Sequence, residues 1–133
     1  MMAGWIRLFA LALLAGCTEE RPPNVCGKTF CMAEKAELIG KQQVADFNLY
    51  HVRFAGVRFG IYEGDFPDFD AAGTKIVSIP IDSNARLLMQ DGESQVLAIV
   101  SARSPRYLHV TGPCASGGGP CPLLDVARSL TKQ

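Results

Sequence analysis

Five cysteines stand at positions 17, 26, 31, 114 and 121 of the 133-residue chain, and their spacing sets the first limit on chemistry. Cys26 and Cys31 enclose four residues, Cys114 and Cys121 six. A dithiol redox centre of the Cys-x-x-Cys type has two intervening residues. A structural zinc site takes pairs separated by two to four, so the first pair is at that limit and the second is beyond it. In an oxidising compartment the simplest outcome is two local disulfides, Cys26 with Cys31 and Cys114 with Cys121, although four cysteines allow three connectivities. Loops this small contribute roughly 2–2.5 kcal/mol each in the chain-entropy account. That is a large share of the about 5–10 kcal/mol that stabilises a domain of this size.

The second constellation is YEGDFPDFD at 62–70, where Glu63, Asp65, Asp68 and Asp70 interleave with Phe66 and Phe69. Clustered carboxylate oxygens are what a hard cation such as Ca²⁺ takes. The spacing, however, does not match the Asp-x-Asp-x-Asp-Gly loop. The plainer expectation is a solvated turn bent by Pro67, with the phenylalanines capping the edge of the core. A third reading makes Phe66 and Phe69 contact anchors for a partner protein, because buried aromatics dominate binding energy. His51 and His109 each lie in a strand-like run opposite its apolar residues, which predicts solvent-facing histidines. A triad or metal cluster would need Ser, Asp or Cys partners beside them in space. The chain contains no Gly-x-Ser-x-Gly, His-Glu-x-x-His or Gly-x-x-x-x-Gly-Lys. The SGGG at 116–119 could offer backbone N–H groups to an anion but has no following Lys, and reads as slack between Cys114 and Cys121. No cofactor is implied and no catalytic residue is assigned.

The fifth cysteine has a different setting. Arg7 and the amino terminus precede LFALALLA at 8–15. An eight-residue apolar run is too short for a helix across a bilayer core of about 30 Å, but it suits the core of an export signal. Leu14-Ala15-Gly16-Cys17 then resembles the lipobox of bacterial lipoproteins. The resemblance covers residues 1–17 alone. It implies removal of residues 1–16, a diacylglycerol thioether on Cys17 and acylation of the new amine. A secretory signal cleaved nearby, or an uncleaved anchor, is the alternative. Lipid on Cys17 also leaves an even set of cysteines for disulfides. Two or more acyl chains hold stably where one holds marginally, at about 0.8 kcal/mol per buried CH₂. Thr18 is not the Asp that, in this class, retains a lipoprotein in the inner membrane. In a Gram-negative cell the resemblance therefore implies the outer membrane, facing the periplasm.

The elements that must position these residues follow. TEERPPN at 18–24 reads as a tether, stiffened by its Pro-Pro pair and reaching about 20 Å at most, so 17–24 link the lipid to a domain at 25–133. AEKAELIG at 33–40 predicts a short helix ended by Gly40. Residues 50–54 and 57–61 alternate apolar with polar around Ala55-Gly56, the signature of a β-hairpin. Residues 75–79 predict a third strand, which Pro80 ends or confines to an edge. Residues 86–90 and 95–101 flank Asp91-Gly92-Glu93, a second hairpin, and 107–111 add a strand. Pro122, then Leu123, Leu124, Ala127 and Leu130 at helical spacing, with Asp125 early and Arg128 late, predict a C-terminal helix. The fold class expected is α+β: a mainly antiparallel sheet of five or six strands with one C-terminal helix and two disulfides.

The 13 Lys and Arg balance 13 Asp and Glu, and loss of Arg7 with the leader leaves 12 against 13. Such a chain lacks the basic patch that nucleic acid requires, and charge alone would not hold it on anionic lipid. The function expected is that of a membrane-anchored, non-enzymatic module that binds another envelope protein as an inhibitor, assembly or stabilising factor. The alternatives are a small-ligand or divalent-cation binding lipoprotein and, last, an envelope hydrolase.

Overall fold

The structure is a computed structural model and describes residues 25–32, 35–115 and 119–133. The leader, Cys17 and the tether lie outside the described residues, as do Ala33, Glu34 and most of SGGG. In chain order the elements are β1 (Phe30–Cys31), β2 (Ala36–Val44), β3 (Phe47–Phe54), β4 (Val57–Gly64), β5 (Lys75–Ile79), β6 (Asp82–Leu88), β7 (Ser94–Ile99), β8 (Tyr107–Gly112), α1 (Pro122–Ser129) and β9 (Thr131–Lys132). Seven strands form one antiparallel sheet in the order β2-β3-β4-β8-β7-β6-β5, and β1 pairs with β9 in a separate two-stranded ribbon.

Period-2 alternation gives the sheet one covered face. Tyr50 and Val52 on β3 register with Ile61 and Phe59 on β4. Ile61 meets Val110 of β8, which in turn meets Val96 of β7. Ala85 and Leu87 continue the row on β6, and all of these side chains are buried. Leu123, Val126, Ala127 and Leu130 of the C-terminal segment bury against this face, and the Phe30 ring stands edge-on to Tyr50 at 5.4 Å. At the β3–β4 turn Ala55 and Gly56 both take positive φ, 53° and 81°, which a two-residue hairpin loop of matching twist demands. Pro80 follows β5, and β5 is an outer strand, as its sequence required.

One expectation fails, and it accounts for the strand count. Within the helix expected over 33–40, residues 36–40 are instead the start of β2, a nine-residue strand along β3. An eight-residue stretch is too short to be helical on propensity alone, and the free backbone donors and acceptors of β3 offered it a full ladder. Gly40 does not end a helix; it lies where the β2–β3 register shifts between Leu38 and Gly40. The main sheet thus has seven strands rather than five or six.

Both disulfides are local. Cys26–Cys31 closes the turn before β1, and Cys114–Cys121 ties the segment after β8 to the N-cap residue of α1. Replacing Cys114 and Cys121 together with Ser should lower the unfolding free energy by about 2.5 kcal/mol, measured as a lower urea midpoint with the helical signal retained until the global transition.

Candidate functional site

Strand alternation decides the fate of the acidic stretch. On β4 the residues Phe59, Ile61 and Glu63 share the covered face, so Glu63 enters the core where a third apolar residue would stand. Its side chain is 0% exposed. It survives there as a carboxylate because donors surround it. The Thr29 backbone N–H donates to Oε2 at 2.8 Å and the Thr29 hydroxyl to the same oxygen at 2.6 Å. Lys28 N–H, Asn48 Nδ2 and the Tyr50 hydroxyl donate to Oε1 at 3.2, 3.2 and 3.0 Å. Burial pushes the carboxyl up, but the bonds from Thr29, Lys28 and Asn48 outweigh it and hold Glu63 below its ordinary 4.5. Burial, and then the neighbouring Glu63 charge, push the Tyr50 hydroxyl well above its ordinary value. Gly27 belongs to the same cluster: a Cβ there would come within 2.9 Å of both the Tyr50 hydroxyl and Glu63.

Asp65, past the end of β4, turns elsewhere. Its carboxylate accepts from the Ser104 hydroxyl at 2.5 Å and from Arg106 N–H at 2.9 Å. The Tyr62 hydroxyl accepts from Phe66 N–H at 3.0 Å. Two anchors thus fix the backbone at Asp65 and at Phe66, the latter 81% exposed. Beside it a polar recess of about 230 Å³ is lined by Asp46, Asn48, Asp65, Ser104 and Val44, the last 49% exposed.

From here the chain must reach β5, at the far edge, and residues 65–74 pass β8, β7 and β6 on the way. They do so over the outer face, where Phe69 stands edge-on to the His109 ring at 5.5 Å. His109 shares Nε2 with Gln95 Oε1 at 2.8 Å and is only 8% exposed. The expectation of two solvent-facing histidines therefore holds for His51 and fails for His109. Both lie opposite the apolar row, but the crossing loop covers the second. Burial pushes the His109 imidazole below its ordinary 6.5, against the opposing pull of Asp68 and Glu93.

The four acidic residues proposed as a cation set are not brought together. Glu63 points into the core and Asp65 to the Ser104–Arg106 segment, while Asp70 accepts from Ala72 N–H at 3.0 Å and Asp68 is exposed near His109. Among the described residues no three His, Cys, Asp or Glu side chains converge on one point. The phenylalanines also part: Phe66 is presented to solvent, whereas Phe69 is half-buried on the sheet. Thr29, Asn48, Tyr50, Tyr62 and Ser104 act here without any local motif, since their partners are 4 to 39 positions away. The one usable signal was the parity of Glu63 with Phe59 and Ile61.

No protein-family model, curated protein or solved structure matches this chain. Among the described residues, no helix is long and apolar enough to cross a membrane.

Both lowered pKa values give acid-sensitive stability. A group whose folded pKa is depressed binds its proton more tightly in the unfolded chain, so its contribution is complete above the unfolded value and is lost as pH falls through the folded one. For His109 the loss begins below 6.5 and for Glu63 below 4.5. Urea midpoints should therefore fall in two stages on acidification. Glu63→Gln should lower stability at pH 7 by about 2–3 kcal/mol, by weakening the charge-assisted bonds, and flatten the lower stage. His109→Gln should flatten the upper stage and leave the lower.

Proposed function

We propose that the protein is a lipid-anchored module of the bacterial envelope that works without catalysis, docking onto another envelope protein through Phe66. Cys17 carries the acyl chains, and in a Gram-negative cell the domain faces the periplasm from the outer membrane. Its role is that of an inhibitor, assembly or stabilising factor. The lipobox resemblance at 14–17 supports the anchor, and the short 18–24 tether keeps the partner within about 20 Å of the bilayer surface.

The observation that carries the docking reading is the way Phe66 is held. An 81%-exposed aromatic ring on a loose loop would gain little by binding, because ordering the loop would cost what burial gives. Here the backbone at Phe66 is fixed beforehand by Tyr62, and that at Asp65 by Ser104 and Arg106. Val44 and Pro105 lie along the same recess, so an apolar anchor stands beside a polar rim, the arrangement of a contact hot spot. The cation-carrier reading draws no support from four carboxylates that do not converge. Phe69 serves as a support rather than an anchor, since it packs on His109.

Crosslinking in intact envelopes followed by affinity capture tests this. Phe66→Ala should leave the melting temperature unchanged and remove one captured envelope protein. Phe69→Ala should cost about 1–2 kcal/mol, because a half-buried ring is removed. Capture unaffected by Phe66→Ala, or unfolding of that variant, would sink the docking role. Mass spectrometry of the purified chain should show Cys17 as the acylated amino terminus.

A further inference from the structure

A second concavity lies on the outer face of the sheet, towards the other end of β4. Gly60 is four residue steps from Gly64 along β4, so at about 3.3 Å per step it is some 13 Å from the Phe66 end. Strand register sets Gly40, His51, Gly60 and Thr111 in one row across β2, β3, β4 and β8. Two glycines in that row leave the floor low. Gly60 is held to glycine by packing, since a Cβ there would lie 2.9 Å from Thr111 Oγ1. Ile39, Arg58, Glu93 and Pro113 wall a trough of about 540 Å³, a volume typical of small-molecule sites.

The charges around this trough are unbalanced. On the same face, one row towards the β3–β4 turn, Arg53 and Arg58 are direct cross-strand partners. Like charges set opposite one another destabilise a sheet unless something neutralises them. Glu37 does so for Arg53, with its Oε2 at 3.1 Å from Nη1. Among the described residues Arg58 has no such carboxylate, and both Arg58 and His51 are exposed on the trough. Glu93 stands on another wall, where it repels an anion and confines it to the Arg58 side.

We propose that this trough binds a small, soluble ligand bearing an oxyanion, phosphate or carboxylate. The Arg58 guanidinium supplies the charge and two donors in a fork that matches either anion. The His51 ring and the Thr111 hydroxyl supply further donors, and the glycine floor lets the ligand lie close to the backbone. Binding also gives Arg58 the counter-charge that Glu37 gives Arg53, so the occupied sheet is more stable than the empty one. Phe66 stays uncovered, and the site stands independently of the docking role.

Thermal unfolding of the full chain in a non-ionic detergent tests this, with inorganic phosphate, acetate and chloride compared at equal ionic strength. Phosphate or acetate at saturating concentration should raise the melting temperature by at least about 2 °C over chloride. Whichever anion does so assigns the ligand as phosphate or carboxylate. Arg58→Gln should abolish the rise and Glu93→Gln should enlarge it. Arg86→Gln, an exposed charge on the same face of β6, should leave it unchanged. Equal melting temperatures in all three salts, or a rise that persists in Arg58→Gln, would overturn the proposal.

Discussion

The Glu63 carboxylate is a charge with no surface open to water, and the arrangement of the domain follows from satisfying it. Its donors come from the turn at Lys28 and Thr29, from Asn48 and Tyr50 on β3, and from nothing on its own strand. A buried ion left without such partners costs several kcal/mol, so the turn before β1 cannot drift from the sheet while the chain stays folded. That turn is also the one closed by Cys26–Cys31. Phe30, at its end, packs on Tyr50, whose hydroxyl completes the carboxylate's set. Covalent bridge, aromatic contact and charge therefore all act on the same four-residue turn.

The strands whose residues alternate cleanly were legible. Tyr50, Val52, Phe59 and Ile61 announced the β3–β4 hairpin, and the helix spacing of Leu123, Ala127 and Leu130 announced α1. The β2 segment was not, because Ala36, Glu37, Leu38 and Ile39 carry no alternation, and what makes them a strand is the open edge of β3, a property of another part of the chain. The acidic stretch misled for a related reason. Composition at 62–70 suggested one solvated cluster, whereas the end of β4 falls inside it. Strand parity sends Glu63 inward, and the residues beyond the strand find separate partners. His109 carried the same ambiguity: parity placed it on the outer face, but only the path of 65–74 determined that this part of the face is covered.

The sheet is thus unequal on its two sides. One is sealed by α1 and the β1–β9 ribbon, and its buried residues are apolar apart from the satisfied Glu63, Asn48 and Ser94. The other is crossed once, by residues 65–74, which bury His109 and leave the end near Gly40 and Gly60 open. That crossing is forced by topology: β4 lies in the interior of the sheet and β5 at its edge, so the connection must traverse three strands on one face or the other. The ordered loop that presents Phe66 is in this sense a by-product of strand order.

The β1–β9 ribbon and the Cys26–Cys31 bridge also define a load path. Tension arriving at Val25 from the residues before it passes through Cys26, across the sulfurs to Cys31, and on to Met32, whose N–H donates back to Val25 at 2.8 Å. The intervening residues 27–30, which include two of the donors to Glu63, are mechanically bypassed. Drag on the domain relative to whatever holds its leading end is borne by a covalent link and spares the hydrogen bonds on which the interior charge relies.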